Sequence, residues 1–259
     1  KVFGGSNSKG NITGTIAMNI EKADEHCDMH IAEVYGGGNE AYMDGNSGIQ
    51  LGCIEYLKEI YGGARNADVG GDINLTITSG HFDRVFGGNN LGGTIKGSIT
   101  VNIEETGCNP ITIGELYGCG NKAPYTTPGD KHPTINIRSF TSIGNVYGGG
   151  LGKEAVVTGN PTININVATG ANNAVEDWPY NGSTIDFGGG ITVTLPVHEK
   201  GKIGAIGNVF GGGNAAAVIG NTQVNIGTEA SKSADIRGNV YGGGNQAKVT
   251  GQTNVVIGG

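Results

Sequence analysis

Residues 168–184 carry the only tryptophan of the chain, Trp178, two positions before Tyr180 and beside Glu176 and Asp177. An aromatic face stacks on the C–H groups of a sugar ring while neighbouring carboxylates accept its hydroxyl protons, so this segment has the chemistry of a glycan contact. A second segment, 122–133, repeats that combination with Tyr125, Asp130 and His132. Trp178, Tyr180 and Tyr125 are the candidate binding residues. His26, Asp28 and His30 alternate along one strand face, and two imidazoles with a carboxylate can hold Zn²⁺. A fourth ligand is absent nearby, since His81, His132 and His198 belong to other parts of the chain, so no metal and no cofactor is expected.

Glycosidic cleavage needs two carboxyl groups roughly 5 to 9.5 Å apart, one with a raised pKa. Glu33, Glu59 and Glu115 recur at one position of a repeat, but Arg84, Asn145, Asn208 and Asn239 share it. Such a mixed row reads as a solvated face, and the chain is expected to be non-enzymatic, with a carbohydrate-active β-helix hydrolase or lyase as the alternative. The cysteines are Cys27, Cys53, Cys108 and Cys119. Cys27 and Cys53 each stand eight residues before an aromatic, so stacked repeats would make them neighbours, as a disulfide or as a reduced buried pair. Adjacency to His26 puts Cys27 on the opposite strand face from that base, which argues against cysteine catalysis.

The elements that must position these groups come from an internal repeat. The pattern aliphatic, Tyr or Phe, Gly places aromatics at Phe3, Tyr35, Tyr61, Phe86, Tyr117, Tyr147, Phe210 and Tyr241, with a degenerate ninth copy at Phe187. Four residues after the aromatic stands an asparagine in six copies: Asn7, Asn39, Asn90, Asn121, Asn214 and Asn245. Asparagine tolerates left-handed backbone, so it fits a sharp corner, and the glycines between are expected to supply further positive φ angles. The aromatics form either an internal stack or an outward strip able to stack on sugars. Parity leaves both open, because the residue two before the aromatic is polar while that four before it is aliphatic.

Further along each copy runs an alternating apolar–polar stretch: 16–20, 49–53, 73–77, 99–103, 135–137, 163–167, 191–195, 224–226 and 255–257. Strict period-two alternation of β-branched residues denotes half-buried strands. A third short element, such as 216–220 or 247–251, precedes it. The expected fold is therefore all-β: one domain over 1–259, a right-handed parallel β-solenoid of about nine coils of roughly 30 residues, three short strands each. A β-propeller is the competing architecture, but its blades need about 40 residues and four strands.

Composition agrees. Fifty-one glycines in 259 residues exclude an ordinary helical domain. A net charge of −7 with scattered Lys and Arg argues against nucleic acid, and no apolar run approaches a membrane span. The wording IGNVFGGGN at 206–214, GNVYGGGN at 238–245 and IGNVYGGG at 143–150 resembles the Gly/Asn-rich repeat regions of adhesin-like surface proteins of gut bacteria. The resemblance implies an extracellular or cell-surface stalk or adhesive module, excised from a longer protein, with a glycan or host surface protein as partner. End-to-end self-association through an uncapped terminal strand is a further expectation.

Overall fold

The computed structural model describes residues 1–22, 29, 31–106, 108–168 and 177–258, and these contain strands and turns but no helix. Each copy of the repeat contributes one strand to each of two long parallel sheets. The first sheet takes Val2–Phe3, Ile31–Tyr35, Tyr56–Tyr61, Gly80–Phe86, Ile111–Tyr117, Ser142–Tyr147 and Ala205–Phe210, closed by Asp235–Ile236 and Val240–Tyr241, both paired to Ala205–Phe210. The second takes Ile16–Glu21, Ser47–Gly52, Ile73–Ile77, Ile99–Glu104, Thr134–Ser139, Thr162–Ile165, Thr222–Ile226 and Thr253–Ile257. The third element pairs as strands only at Tyr125–Thr126, Val157–Thr158 and Val218–Ile219. In other copies it is a single parallel bridge, as at Met43 and Val69.

Alternation dictates which side chains are buried. Ile73, Leu75 and Ile77 of the second sheet point to a common apolar core with Val34, Ile60, Val85, Leu116, Val146 and Val209 of the first sheet. The aromatic follows that valine or leucine by one residue and so lies on the other side of its strand. It forms a separate cluster of Tyr35, Tyr61, Phe86, Tyr117 and Tyr147, with Phe3 and Phe210 against it. Consecutive rings from Phe3 to Tyr241 stack with centroids 4.8–4.9 Å apart. From Tyr35 to Tyr147 the ladder is thus buried but outside the main core, while Phe3 and Phe210 are half-buried and Tyr241 at its end is exposed.

Hydroxyls on those rings follow a rule. The corner asparagine two repeats further on donates to the hydroxyl of Tyr35 (Asn90, 2.7 Å) and of Tyr117 (Asn214, 3.2 Å), and Asn121 and Asn245 occupy the same corner position for Tyr61 and Tyr147. The hydroxyls of Tyr35, Tyr61 and Tyr117 in turn donate to Glu33, Glu59 and Glu115, two residues earlier on the same strand. Phe3 and Phe86 stand where neither partner exists. Phe86 has Arg84 before it and Leu151 at the distant corner, and Phe3 has Lys1 and Arg65. A buried hydroxyl without partners costs about 1–3 kcal/mol, so ring type tracks partner supply.

The corner corrects two expectations. The asparagines are not left-handed; the following residue is, at Lys122 (φ 53°), Ala215 (55°) and Gln246 (58°). Nor does the first corner glycine need positive φ. A Cβ at Gly118 would lie 2.4 Å from the Gly148 carbonyl oxygen, and one at Gly62 2.4 Å from that of Gly87, so close approach of successive repeats excludes any side chain. The asparagines instead ladder along the sheet, Asn39 donating to Asn7 at 2.8 Å and Asn121 to Asn90 at 2.9 Å.

Residues 184–194 depart from the repeat. Thr184–Asp186 and Thr192–Thr194 form an antiparallel hairpin that packs on the outer face of the first sheet. Phe187 is therefore not a ninth rung, and 191–195 is not a strand of the second sheet. The hairpin fits because residues 114 and 144 lack side chains: a Cβ there would meet Ile185 Cδ1 at 2.6 Å and Val193 Cγ1 at 2.3 Å. Cys53 bonds to Cys108, with Cα atoms 5.1 Å apart, so the pairing with Cys27 does not occur. Cys119 is a buried thiol whose ionisation burial pushes strongly upward, as expected of an inert cysteine.

Candidate functional site

The two candidate surfaces are a cleft beneath the excursion and the outer face of the second sheet. The cleft begins with Tyr56, His81 and Thr112, which lie side by side on successive strands, each five residues before a ladder ring. That position faces outward. The excursion packs onto it: Tyr180 stacks on His81 at 3.9 Å, His81 on Tyr56 at 5.6 Å, and Trp178 meets Tyr180 edge-on at 5.2 Å. Thr112 Oγ1 receives the Trp178 indole N–H at 3.2 Å and sits 2.8 Å from His81 Nδ1. Asn181 clamps the base of the excursion, donating to the His198 carbonyl and accepting from its N–H.

An open hollow of about 500 Å³ remains there, lined by Tyr56, His81, Asp83, Pro179, Tyr180, Ser183, Thr184, Ile185 and Asp186. The Tyr56 hydroxyl donates to Asp83 Oδ2 at 3.2 Å. Burial, reinforced by Asp83, pushes the Tyr56 hydroxyl up to about 12, so it is a neutral donor at ordinary pH. Trp178 and Tyr180 are brought together and half-exposed, as a ligand contact requires. Tyr125 is not: it is 2% exposed, and its hydroxyl is spent on the Gly97 carbonyl at 2.9 Å. The third-element strand that carries it points it into the core. Tyr56 and His81 escaped the sequence reading, although their constant offset from the ladder ring marks them as neighbours.

Next to the cleft the polar row is assembled as the repeat predicts, Glu33, Glu59, Arg84, Glu115, Asn145 and Asn208 pairing in order. It is not a solvated face. Glu115 is 3% exposed, Arg84 Nε holds it at 2.9 Å, and the Phe187 ring of the hairpin covers the guanidinium at 3.8 Å. Lys1 engages Glu33 at 2.7 Å, and with the Tyr35 hydrogen bond this outweighs burial and lowers the Glu33 pKa.

The second-sheet face differs in chemistry. Its two central outward rows run Ala17, Gly48, Asn74, Thr100, Thr134, Thr162, Gln223, Asn254, and Asn19, Gln50, Thr76, Asn102, Asn136, Asn164, Asn225, Val256. None of these sixteen residues is charged and none is buried. Their amides link up: Asn102 donates to Asn74, Asn136 to Asn102 and Asn164 to Asn136, each at 3.0 Å, then Asn225 to Asn164 at 2.8 Å. Beside this face lies His132, whose Nδ1 has no hydrogen-bond partner.

Residues 23–28 and 30, with His26, Cys27, Asp28 and His30, lie outside the described residues, as does Glu176. Among the described residues no group of three or more His, Cys, Asp or Glu side chains is placed to hold a metal ion. Comparison with protein families, with curated proteins and with solved structures finds no match to this chain.

Proposed function

We propose that the chain is a right-handed parallel β-solenoid of eight repeats, acting as a non-enzymatic, adhesin-like module outside the cell, and that the cleft under the excursion binds short glycans. The observation that carries the reading is the Tyr56–His81–Tyr180 stack, which lines an open hollow with Trp178 set edge-on against Tyr180 beside it, on a segment that interrupts an otherwise regular repeat. Long loops on a regular scaffold are where binding chemistry concentrates. Aromatic faces with neutral hydroxyl donors and the carboxylates of Asp83 and Asp186 match the alternating C–H and O–H surface of a sugar.

Support for an extracellular setting comes from the Cys53–Cys108 disulfide, a bond that persists in oxidising compartments. Support for a binding rather than a hydrolytic role comes from the acidic row. Glu59 and Glu115 are neutralised by the Arg84 between them and engaged by tyrosine hydroxyls, so neither is poised as acid or nucleophile.

A glycan array probed with wild-type chain and Trp178→Ala tests the reading. Binding to short oligosaccharides, lost about tenfold or more in the variant with thermal stability nearly kept, is the expected result. Release of reducing ends from any polysaccharide, abolished by Glu59→Gln, would replace the binding module with an enzyme.

A further inference from the structure

We infer that the outer face of the second sheet is a second binding surface, distinct from the cleft, which takes a linear neutral polysaccharide lying across the strands. Three observations converge. The first is charge. On the first sheet the outward residues two and three before the ring, from Ala32 to Asn208, include Glu33, Lys58, Glu59, Asp83, Arg84 and Glu115, six of twelve, whereas the sixteen residues of the two central outward rows of the second sheet include none. The charges of this sheet stand outside the two central rows, at Glu21, Glu104 and Arg138 on the strand ends and Asp72 with Lys131 along the edge, and Arg138 and Lys131 are each paired to a carboxylate. Rows without cations do not hold nucleic acid or an acidic glycan, and rows without a contiguous apolar centre lack what anchors a protein interface. An uncharged, hydroxyl-rich polymer is the partner that remains complementary.

The second is preorganisation. The chain of amides from Asn74 to Asn225 continues through Gln223, which donates to Asn225 at 2.6 Å, to Asn254, which donates to Gln223 at 2.7 Å. A primary amide has two N–H donors and two acceptor lone pairs. The ladder takes one donor from each of Asn102, Asn136 and Asn164 and one lone pair of its neighbour, leaving a donor and an acceptor of each for a partner. Their side chains are already fixed by one another, so binding costs little further side-chain entropy. A polysaccharide presents hydroxyls that donate and accept in regular succession, which is the pattern such a strip satisfies.

The third is shape. Two open hollows sit on this face. One, of about 320 Å³, lies over Ala17 and Gly48, whose small size leaves room for a sugar ring, and is bordered by Asn19, Gln50, Asn74 and Thr76. The other, of about 600 Å³, lies among Asn160, Thr162, Asn221, Gln223, Asn254 and His132, the last with its orphaned Nδ1.

The test is native affinity electrophoresis in gels cast with konjac glucomannan, barley β-glucan or polygalacturonate. Retardation by at least one neutral polymer, insensitive to added salt and absent with polygalacturonate, is expected. Thr134→Lys places a charge on the face without touching the amide ladder and should weaken apparent affinity roughly tenfold, since a charge buried against a neutral chain is desolvated without a partner. The double variant Asn136→Asp/Asn164→Asp should do the same, with circular dichroism reporting whether it is folded. Trp178→Ala should leave polymer retardation within about twofold, so failure of the cleft and failure of this face are read separately. No retardation by either neutral polymer, retardation as strong by polygalacturonate, or full retardation of folded Thr134→Lys would each overturn the inference.

Discussion

Two ladders run across the repeats, one of aromatic rings on the first sheet and one of amides on the second, and both are rows of residues that bind sugars elsewhere. They differ in what becomes of their hydrogen-bonding capacity. The hydroxyls of Tyr35, Tyr61 and Tyr117 are consumed by a glutamate two residues before and, for Tyr35 and Tyr117, by a corner asparagine two repeats away as well. The rings are sealed, and the row is structural. The amides of Asn102, Asn136 and Asn164 satisfy one another through one donor and one acceptor each and lie at the surface with the rest unspent. A periodic side chain is therefore a candidate for binding only where the scaffold leaves part of its valence open.

Truncating the sealed ladder should have the largest effect. Tyr147→Ala removes a ring stacked on both sides, and a loss of about 3–5 kcal/mol is expected in denaturant melts. Exchange protection should fall first in the adjacent strands, as in quasi-linear repeat structures. An undisturbed variant would mean the ladder contributes no packing and the contrast between the rows fails.

The partner rule makes a smaller and sharper prediction. Phe86→Tyr introduces a hydroxyl facing Arg84 and Leu151, neither of which can accept and donate to it as glutamate and asparagine do, and should cost about 1–3 kcal/mol. Adding Leu151→Asn should recover part of that loss, a coupling measurable in a double-mutant cycle. Additive effects of the two substitutions would show that ring type and corner type are unrelated.

The rows should also separate by pH. Burial, followed by the nearby glutamates, raises the ionisation of Tyr35, Tyr61, Tyr117 and Tyr147 far above the ordinary phenol value. A folded-state pKa above the unfolded one stabilises fully below the unfolded value, about 10, and less and less as pH rises past it, because only the unfolded chain can then release the proton. Tyrosinate absorbance of the ladder should accordingly appear together with unfolding in strong alkali. In a His132→Gln variant, which removes the histidine lining that face, polymer binding should be flat from about pH 5 to 9, for none of the sixteen central residues carries an ionisable side chain. The smallest stability change belongs to the open row: Asn136→Leu loses two surface amide bonds, about 1 kcal/mol, while polymer retardation falls.

Much of this was legible in the chain. Period-two alternation located all eight strands of the second sheet, and the aromatic pattern located eight stacked rings. Direction was not legible, because valine and the following aromatic are both buried, in two different clusters on opposite sides of one strand. The false rung at Phe187 arose from a Phe-Gly pair without an aliphatic before it; Asp186 there belongs to a hairpin turn and accepts the Gly188 N–H. Glycine at 114 and 144, against Ala32, Lys58 and Asp83 at the same offset, was the unread sign that something lies across those strands. Disulfide pairing was hidden because Cys53 joins a loop two repeats away, passing over the short turn 78–80. The cleft was half visible: the excursion announced Trp178 and Tyr180, but the residues beneath them emerge only once repeats are aligned.

The most direct test of the central claim, that one scaffold offers two independent glycan surfaces, is a single binding panel of short oligosaccharides and neutral polymers read with wild-type chain, Trp178→Ala and Thr134→Lys. The account predicts that wild type binds members of both groups, that Trp178→Ala loses the short ligands alone and that Thr134→Lys loses the polymers alone. Wild type that binds neither group, or two folded variants that lose the same ligands, would contradict it.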